Sequence, residues 1–327
     1  MSQSEALRLL NESTDVLVVC HRRPDADALG SALGFTALCR ELGKDVTLYV
    51  PDELAHNLRF LDVSNVSRTL KEDARFDVTF VMDTAAVALL PDGLPGPEVR
   101  GPLVVIDHHA AHDDVGDVIV RDIEACATAE VVMDMAEELG LRPVPPAAAT
   151  PLYAAFVADT GGFRYPSTRA RVLRMGAELV DGGADPWQVA YELFEGWRPA
   201  RMLLLGAVLK SLSVELEGRF AVMRVTRAML DECGADDDMV EGMVNYGRML
   251  RGVEIAALLW EFETPEGRVI KYSFRSQGNF DVSKVASALG GGGHRSAAGA
   301  QEAISIDDAC IRMTALVSEV LNSPAKP

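Results

Sequence analysis

His21 to Gly34 reads HRRPDADALGSALG and sits where an apolar strand stops and a helix starts. Just before it, Asp15-Val16-Leu17-Val18-Val19-Cys20 is rich in β-branched residues, the pattern of a buried strand. From Asp27 to Leu42, Leu29, Leu33, Ala37 and Leu38 recur at helical spacing. The histidine and two aspartates between them therefore lie on a strand-to-helix turn. In an open α/β sheet, such turns at the carboxyl ends of strands are where ligands bind.

Working outward, strand and helix alternate through the first half of the chain. Further strands are expected at Val46 to Val50, Asp77 to Met82, Leu103 to Ile106 and Val118 to Val120. Helices are expected near Thr128 to Leu139, Pro146 to Ala158, Arg169 to Leu179 and Trp187 to Phe194. The alternation predicts an α/β fold with a mostly parallel sheet flanked by helices over residues 1–194. A linker at 195–200 leads to a second, smaller α/β domain at 201–327, with a helical segment from Asp237 to Leu250 and a glycine-rich loop at Gly290 to Gly293.

Composition limits the functions such a fold can carry. A length of 327 residues allows two ordinary domains, and 48% hydrophobic residues supply their cores. No apolar run approaches the ~18 residues that span a bilayer, so a cytoplasmic protein without membrane association is expected. Cys20, Cys39, Cys126, Cys233 and Cys310 form no CxxC pair, which argues against a disulfide framework or a thiolate metal site. The net charge of −18 excludes a long nucleic-acid duplex, which needs a basic surface to neutralise its phosphates. A small anion stays open, because metal ions reverse the sign of a site locally.

Polar residues cluster at the strand ends, and each cluster has a plainer reading beside the functional one. His21, Asp25 and Asp27 form a mixed imidazole and carboxylate set suited to a hard or borderline divalent ion, yet either aspartate could simply cap the following helix. Asp83 follows its strand as a donor or as a turn residue. Asp107, His108 and His109 follow the next strand, and adjacent histidines there cannot both be core packing. Asp159 precedes two glycines that would suit an ordinary helix terminus. Strand ends in a parallel sheet point to one edge, so His21, Asp25, Asp27, Asp83, His108 and Asp159 can meet, enough for two metal ions. Paired ions ~3.5–4 Å apart are a standard device for phosphate ester hydrolysis.

In order, HRRPDADALGS, VMDTA, VIDHHA and ADTGGF resemble the four motifs of the DHH phosphoesterase family. FRSQGN and GGGGHRSAAG resemble its associated C-terminal substrate-binding domain, so the resemblance spans nearly the whole chain. It implies one ion held by His21, Asp25 and Asp83, and a second by Asp27, Asp83, His108 and Asp159. Asp107 would orient the site, and His109 would act beside the scissile phosphate. Mn²⁺ is expected first, with Mg²⁺ or Co²⁺ as alternatives.

Length and domain pairing are most similar to the nanoRNase and pAp-phosphatase branch. That branch implies hydrolysis of very short RNA or of 3′-phosphoadenosine 5′-phosphate (pAp) by metal-activated water, and a homodimer. Gly291, Gly292 and Gly293 expose backbone N–H groups that can approach a phosphate, although a bare glycine run can equally be a flexible loop. With Arg275, Ser276, His294 and Arg295 they would bind the substrate. Competing readings are a phosphodiesterase for cyclic dinucleotides or their linear products, a single-strand exonuclease and a pyrophosphatase or exopolyphosphatase. A non-enzymatic nucleotide-binding module would need a lost metal ligand, and none is missing.

Overall fold

A computed structural model describes residues 2–84, 86–109, 113, 115–277, 280–293 and 295–322. The chain divides into two units, residues 1–196 and 197–327. The first contains α1 (Ser2–Glu12), β1 (Asp15–Cys20), α2 (Ala26–Glu41), β2 (Asp45–Tyr49), β3 (Val66–Ser67), β4 (Val78–Met82) and α3 (Pro97–Arg100). It continues with β5 (Leu103–Asp107), β6 (Val118–Arg121), α4 (Thr128–Glu138), α5 (Pro146–Asp159), α6 (Ala170–Asp181) and α7 (Pro186–Phe194).

All six strands run parallel, in the order β3-β2-β1-β4-β5-β6. β4 and β5 are buried along their whole length and β1 from Val16 onward, as expected of strands covered on both faces. The main core lies on one face, beneath helices that include α2, α4 and α5. The other face buries a smaller cluster of Leu17, Val19, Val81 and Val105 under Leu70, Phe76, Leu90 and Leu94 from connecting segments. Strand order reverses between β1 and β4, and a reversal of this kind opens a crevice at the carboxyl ends of the strands.

Close packing of α2 on α5 fixes the first helix after the crevice. A Cβ on Gly30 would lie 2.4 Å from the Pro151 carbonyl oxygen, and one on Gly34 would lie 2.5 Å from the Leu152 side chain. Only glycine lets the two backbones approach this closely.

The second unit contains α8 (Pro199–Lys210), β7 (Ser213–Glu215), β8 (Phe220–Val225), α9 (Arg227–Cys233), α10 (Val244–Arg248) and β9 (Ile255–Thr264). β10 (Gly267–Ser276), α11 (Ser283–Ala288), β11 (Gly292–Gly293), β12 (Ala297–Glu302) and α12 (Ile306–Asn322) complete it. Its sheet, ordered β11-β12-β10-β9-β8-β7, is antiparallel except between β8 and β9. Side chains alternate across it: Phe220, Val222, Ile255 and Ala257 join one core, while Ala221, Met223, Ala256 and Leu258 join the other.

Three expectations for this unit are corrected. The glycine-rich segment is not a plain loop, because Gly292 and Gly293 pair with Gly299 and Ala298 of β12. The expected helix from Asp237 to Leu250 is a 3-10 turn and a short α-helix, separated near Gly242, whose φ of 78° breaks helical geometry. The helix α8 begins at Pro199, within the expected linker. Among the described residues, no helix is long and apolar enough to cross a membrane.

Candidate active site

Two histidines enter the crevice in the same orientation, fixed by the backbone. His21 directly follows β1, and its Nδ1 lies 2.8 Å from the Arg22 carbonyl oxygen. His108 directly follows β5, and its Nδ1 lies 3.3 Å from the Ala125 carbonyl oxygen. A carbonyl only accepts, so Nδ1 is the donor in each ring, and it is the neutral form that offers an Nε2 lone pair. Burial would lower the His21 pKa, but Asp25, the Arg22 carbonyl and Asp83 outweigh it and raise the imidazole to about 9. Such anchoring sets ring orientation in metal-binding histidines.

Carboxylates surround both Nε2 atoms. His21 Nε2 is 3.8 Å from Asp25 Oδ1 and 3.6 Å from Asp83 Oδ2. His108 Nε2 is 3.6 Å from Asp27 Oδ2, 3.7 Å from Asp83 Oδ1 and 3.4 Å from Asp159 Oδ2. Asp83 thus turns one oxygen toward each histidine. Within each of the groups His21–Asp25–Asp83 and Asp27–His108–Asp159, the candidate ligand atoms lie within 4.8 Å of one another.

Local structure explains these positions. Asp83 follows β4 in the left-handed region at φ 57°, which Asp and Asn tolerate better than other non-glycine residues, and its N–H donates to the Ile106 carbonyl. Asp25 is the N-cap of α2, accepting from the Ala28 N–H at 3.0 Å. The helix-cap reading of this residue therefore holds alongside its place in the cluster. Asp27 lies in the first turn of α2, and Asp159 is the last residue of α5, before Gly161 and Gly162 at φ 59° and 72°.

Burial and crowding strain the carboxylates electrostatically. Burial, followed by the charges of Asp27 and Asp25, pushes the Asp83 carboxyl up to about 7. The same causes, with Asp83 added, raise Asp159 well above the ordinary carboxylate range, and burial also raises Asp27. Carboxylates that repel one another beside imidazole nitrogens form a donor set suited to divalent cations.

His109 differs from the other two rings. Its Nδ1 approaches Asp107 Oδ1 at 2.7 Å, and Asp107 is the fully buried last residue of β5. Burial would lower the His109 pKa, but the bond to Asp107 and the charges of Asp83 and Asp107 outweigh it and raise the imidazole to about 9.

Several supporting residues carry no signal in the linear sequence. Ser31 Oγ donates to Asp27 Oδ1 at 2.8 Å. The Thr128 N–H donates to Asp27 Oδ2 at 2.7 Å, the Ala129 N–H to Asp27 Oδ1 at 3.2 Å, and the Thr128 hydroxyl to Asp83 Oδ1 at 2.9 Å. Fully buried Glu130 accepts from the Cys126 N–H and from Arg169, which holds the start of α4 in place.

In the second unit, Arg275 and Ser276 end β10, where Arg275 pairs with Ala297 of β12, and Gly292 and Gly293 pair with the other edge of β12. Ser276 is buried; its N–H donates to the Ser296 carbonyl, and its hydroxyl lies 2.8 Å from the Phe280 carbonyl and 3.1 Å from that of Arg295. Its side chain pins the loop. Gly291 and Gly293 abut β12 too closely for a Cβ, whereas Gly292 faces open space. His294 lies outside the described residues.

Comparisons with known proteins agree with this architecture. Residues 15–156 match the DHH family, N-terminal domain, and residues 217–319 match the DHHA1 domain. The bifunctional oligoribonuclease and PAP phosphatase NrnA of Thermus thermophilus is 32% identical, over 94% of this chain and 90% of that protein. Its Bacillus subtilis counterpart is 26% identical over 91% of this chain and 92% of that protein. The cyclic-di-AMP phosphodiesterase PdeA of Listeria monocytogenes is 25% identical over 91% of this chain but 46% of that protein. An exopolyphosphatase-related protein from Bacteroides fragilis shares the fold with a TM-score of 0.88, at 23% identity, over 97% of this chain and 96% of that one. Fold and site together define an α/β enzyme with a strand-end donor cluster. The chain belongs to the DHH family of phosphoesterases.

Proposed function

We propose that this chain hydrolyses short oligoribonucleotides and pAp with two divalent ions, Mn²⁺ in first place. The observation that carries the reading is Asp83, whose two oxygens face His21 and His108 and so join two donor groups. His21, Asp25 and Asp83 would hold one ion, and Asp27, Asp83, His108 and Asp159 the other. Bound ions of this kind activate water and neutralise charge on the phosphoryl oxygens. His109, protonated near neutral pH with its Nδ1–H on Asp107, would present Nε2–H to the leaving oxygen as a general acid. Arg275, the Gly291 to Gly293 segment and Arg295 would bind substrate, with Ser276 fixing the loop.

The substrate assignment is supported by near full-length similarity to two proteins named as oligoribonuclease and PAP phosphatase. The similarity to PdeA supports a second reading, hydrolysis of cyclic di-AMP or its linear product. We place the activity in the cytoplasm, in keeping with five cysteines that are all free thiols. The test is a panel of pAp, di- to pentaribonucleotides, pApA, cyclic di-AMP and pyrophosphate with Mn²⁺. Turnover of pAp and the shortest RNAs, abolished by EDTA, is expected. Preference for cyclic di-AMP or pyrophosphate would overturn the assignment.

A further inference from the structure

We propose that Thr128 is a positioning residue for the carboxylates of the site, acting on Asp83 through its hydroxyl and on Asp27 through its N–H. The inference rests on the metal reading above and concerns how the donors are aimed.

The N-cap residue of α4, Ala127, offers no side-chain cap. The carboxylate of Asp27 caps this helix instead, from another helix about a hundred residues earlier in the chain. Asp27 Oδ1 accepts from Ser31 Oγ and the Ala129 N–H, which occupies both its lone pairs. Asp27 Oδ2 accepts only from the Thr128 N–H among these donors, and it is the oxygen 3.6 Å from His108 Nε2. One lone pair is thereby kept on the side of the histidine.

Thr128 controls Asp83 in the same manner. Its hydroxyl donates to Oδ1, the oxygen facing His108, while Oδ2 faces His21. Rotation of the Asp83 carboxylate about its Cβ–Cγ bond would break this hydrogen bond. Thr128, Asp27 and Asp83 are all buried, so water cannot readily substitute for the lost donor. A residue at the start of one helix therefore sets the rotation of two carboxylates from two other elements.

The readout that separates positioning from helix support is Mn²⁺ uptake, followed by the spin-resonance signal of the free ion, for the parent, Thr128→Ser, Thr128→Val and Thr128→Ala. Serine keeps the hydroxyl and should stay within about threefold of the parent, whereas valine, which keeps shape but not the donor, should bind about tenfold or more weakly, as expected for partners behind metal ligands. Alanine favours helix and covers the case in which valine folds poorly. Melting in EDTA reads the fold apart from the ions. Parent-like Mn²⁺ affinity in the valine or alanine variant overturns the proposal, as does equal loss in the serine and valine variants. A parent chain that takes up no Mn²⁺ overturns the metal reading itself, an outcome visible before any variant is compared.

Discussion

Nδ1 of His109 lies 2.7 Å from Oδ1 of Asp107, a carboxylate with no solvent exposure. The bond commits one ring nitrogen to the protein and fixes the ring's orientation. His109→Gln should lower kcat on pAp by about 10²–10⁴-fold, the usual worth of a general acid. Mn²⁺ affinity should stay near that of the parent. Loss of Mn²⁺ binding in parallel with kcat would instead make His109 a ligand, in the group that it forms with Asp83 and His108.

Asp83 gives a pH-dependent signature without metal. Its carboxyl titrates near 7 in the folded chain against about 4 in an unfolded one, so between those values the folded state alone retains the proton. Stability from this group is present below about pH 4 and lost as pH rises through 7, by up to about 1.4 kcal/mol per pH unit. Asn removes the titration and tolerates the left-handed backbone. In EDTA, the melting temperature of Asp83→Asn should gain on that of the parent between pH 5 and pH 8. Mn²⁺ should stabilise the parent at pH 8 and the variant far less. A pH-independent gap between the two chains would refute this account of the cluster.

Gly30→Ala probes how the site depends on helix packing. The added methyl would meet the Pro151 carbonyl oxygen at 2.4 Å, and backbone must move to admit it. Overpacking of this type costs about 1–3 kcal/mol. Gly30 lies one turn beyond Asp27, so α2 cannot shift without displacing a carboxylate. Calorimetric melting should show the destabilisation, together with weaker Mn²⁺ binding. A variant that melts and binds as the parent does would mean that α2 and α5 separate at no cost.

Ser276→Ala separates loop support from direct substrate contact. The hydroxyl is buried against the Phe280 and Arg295 carbonyls, so its loss frees the segment carrying Arg295. KM for short oligoribonucleotides should rise about fivefold or more, about 1 kcal/mol for the lost hydrogen bond, with kcat changed little. A fall in kcat at constant KM would place Ser276 in the chemical step.

Much of the architecture was legible from local signals. β1, β4 and β5 are apolar runs interrupted in their interiors only by Thr79, and the polar residues at their ends stand out against them. β3 has two residues, too few to show a period. β12 reads AAGAQE, without a β-branched residue, and is a strand because β10 supplies its hydrogen bonds. Thr128 and Ser31 look like ordinary helix residues until the fold brings Asp27 and Asp83 against them. Asp25 showed the opposite ambiguity, since cap and donor are both roles of an aspartate after a strand, and its position in the fold combines them.

That double duty has a consequence for descent. Asp25 starts α2 and Asp27 starts α4, so two acids in the donor cluster are also fastenings of the scaffold. Random change at either position damages the enzyme's foldability as well as its chemistry. A lineage that ceased to need the reaction would therefore still be held to these aspartates until some other residue took over the two helix starts. The scaffold acts as a second guardian of the active site, and inactive descendants of this chain are expected to lose His109, which caps no helix among the described residues, before they lose Asp27.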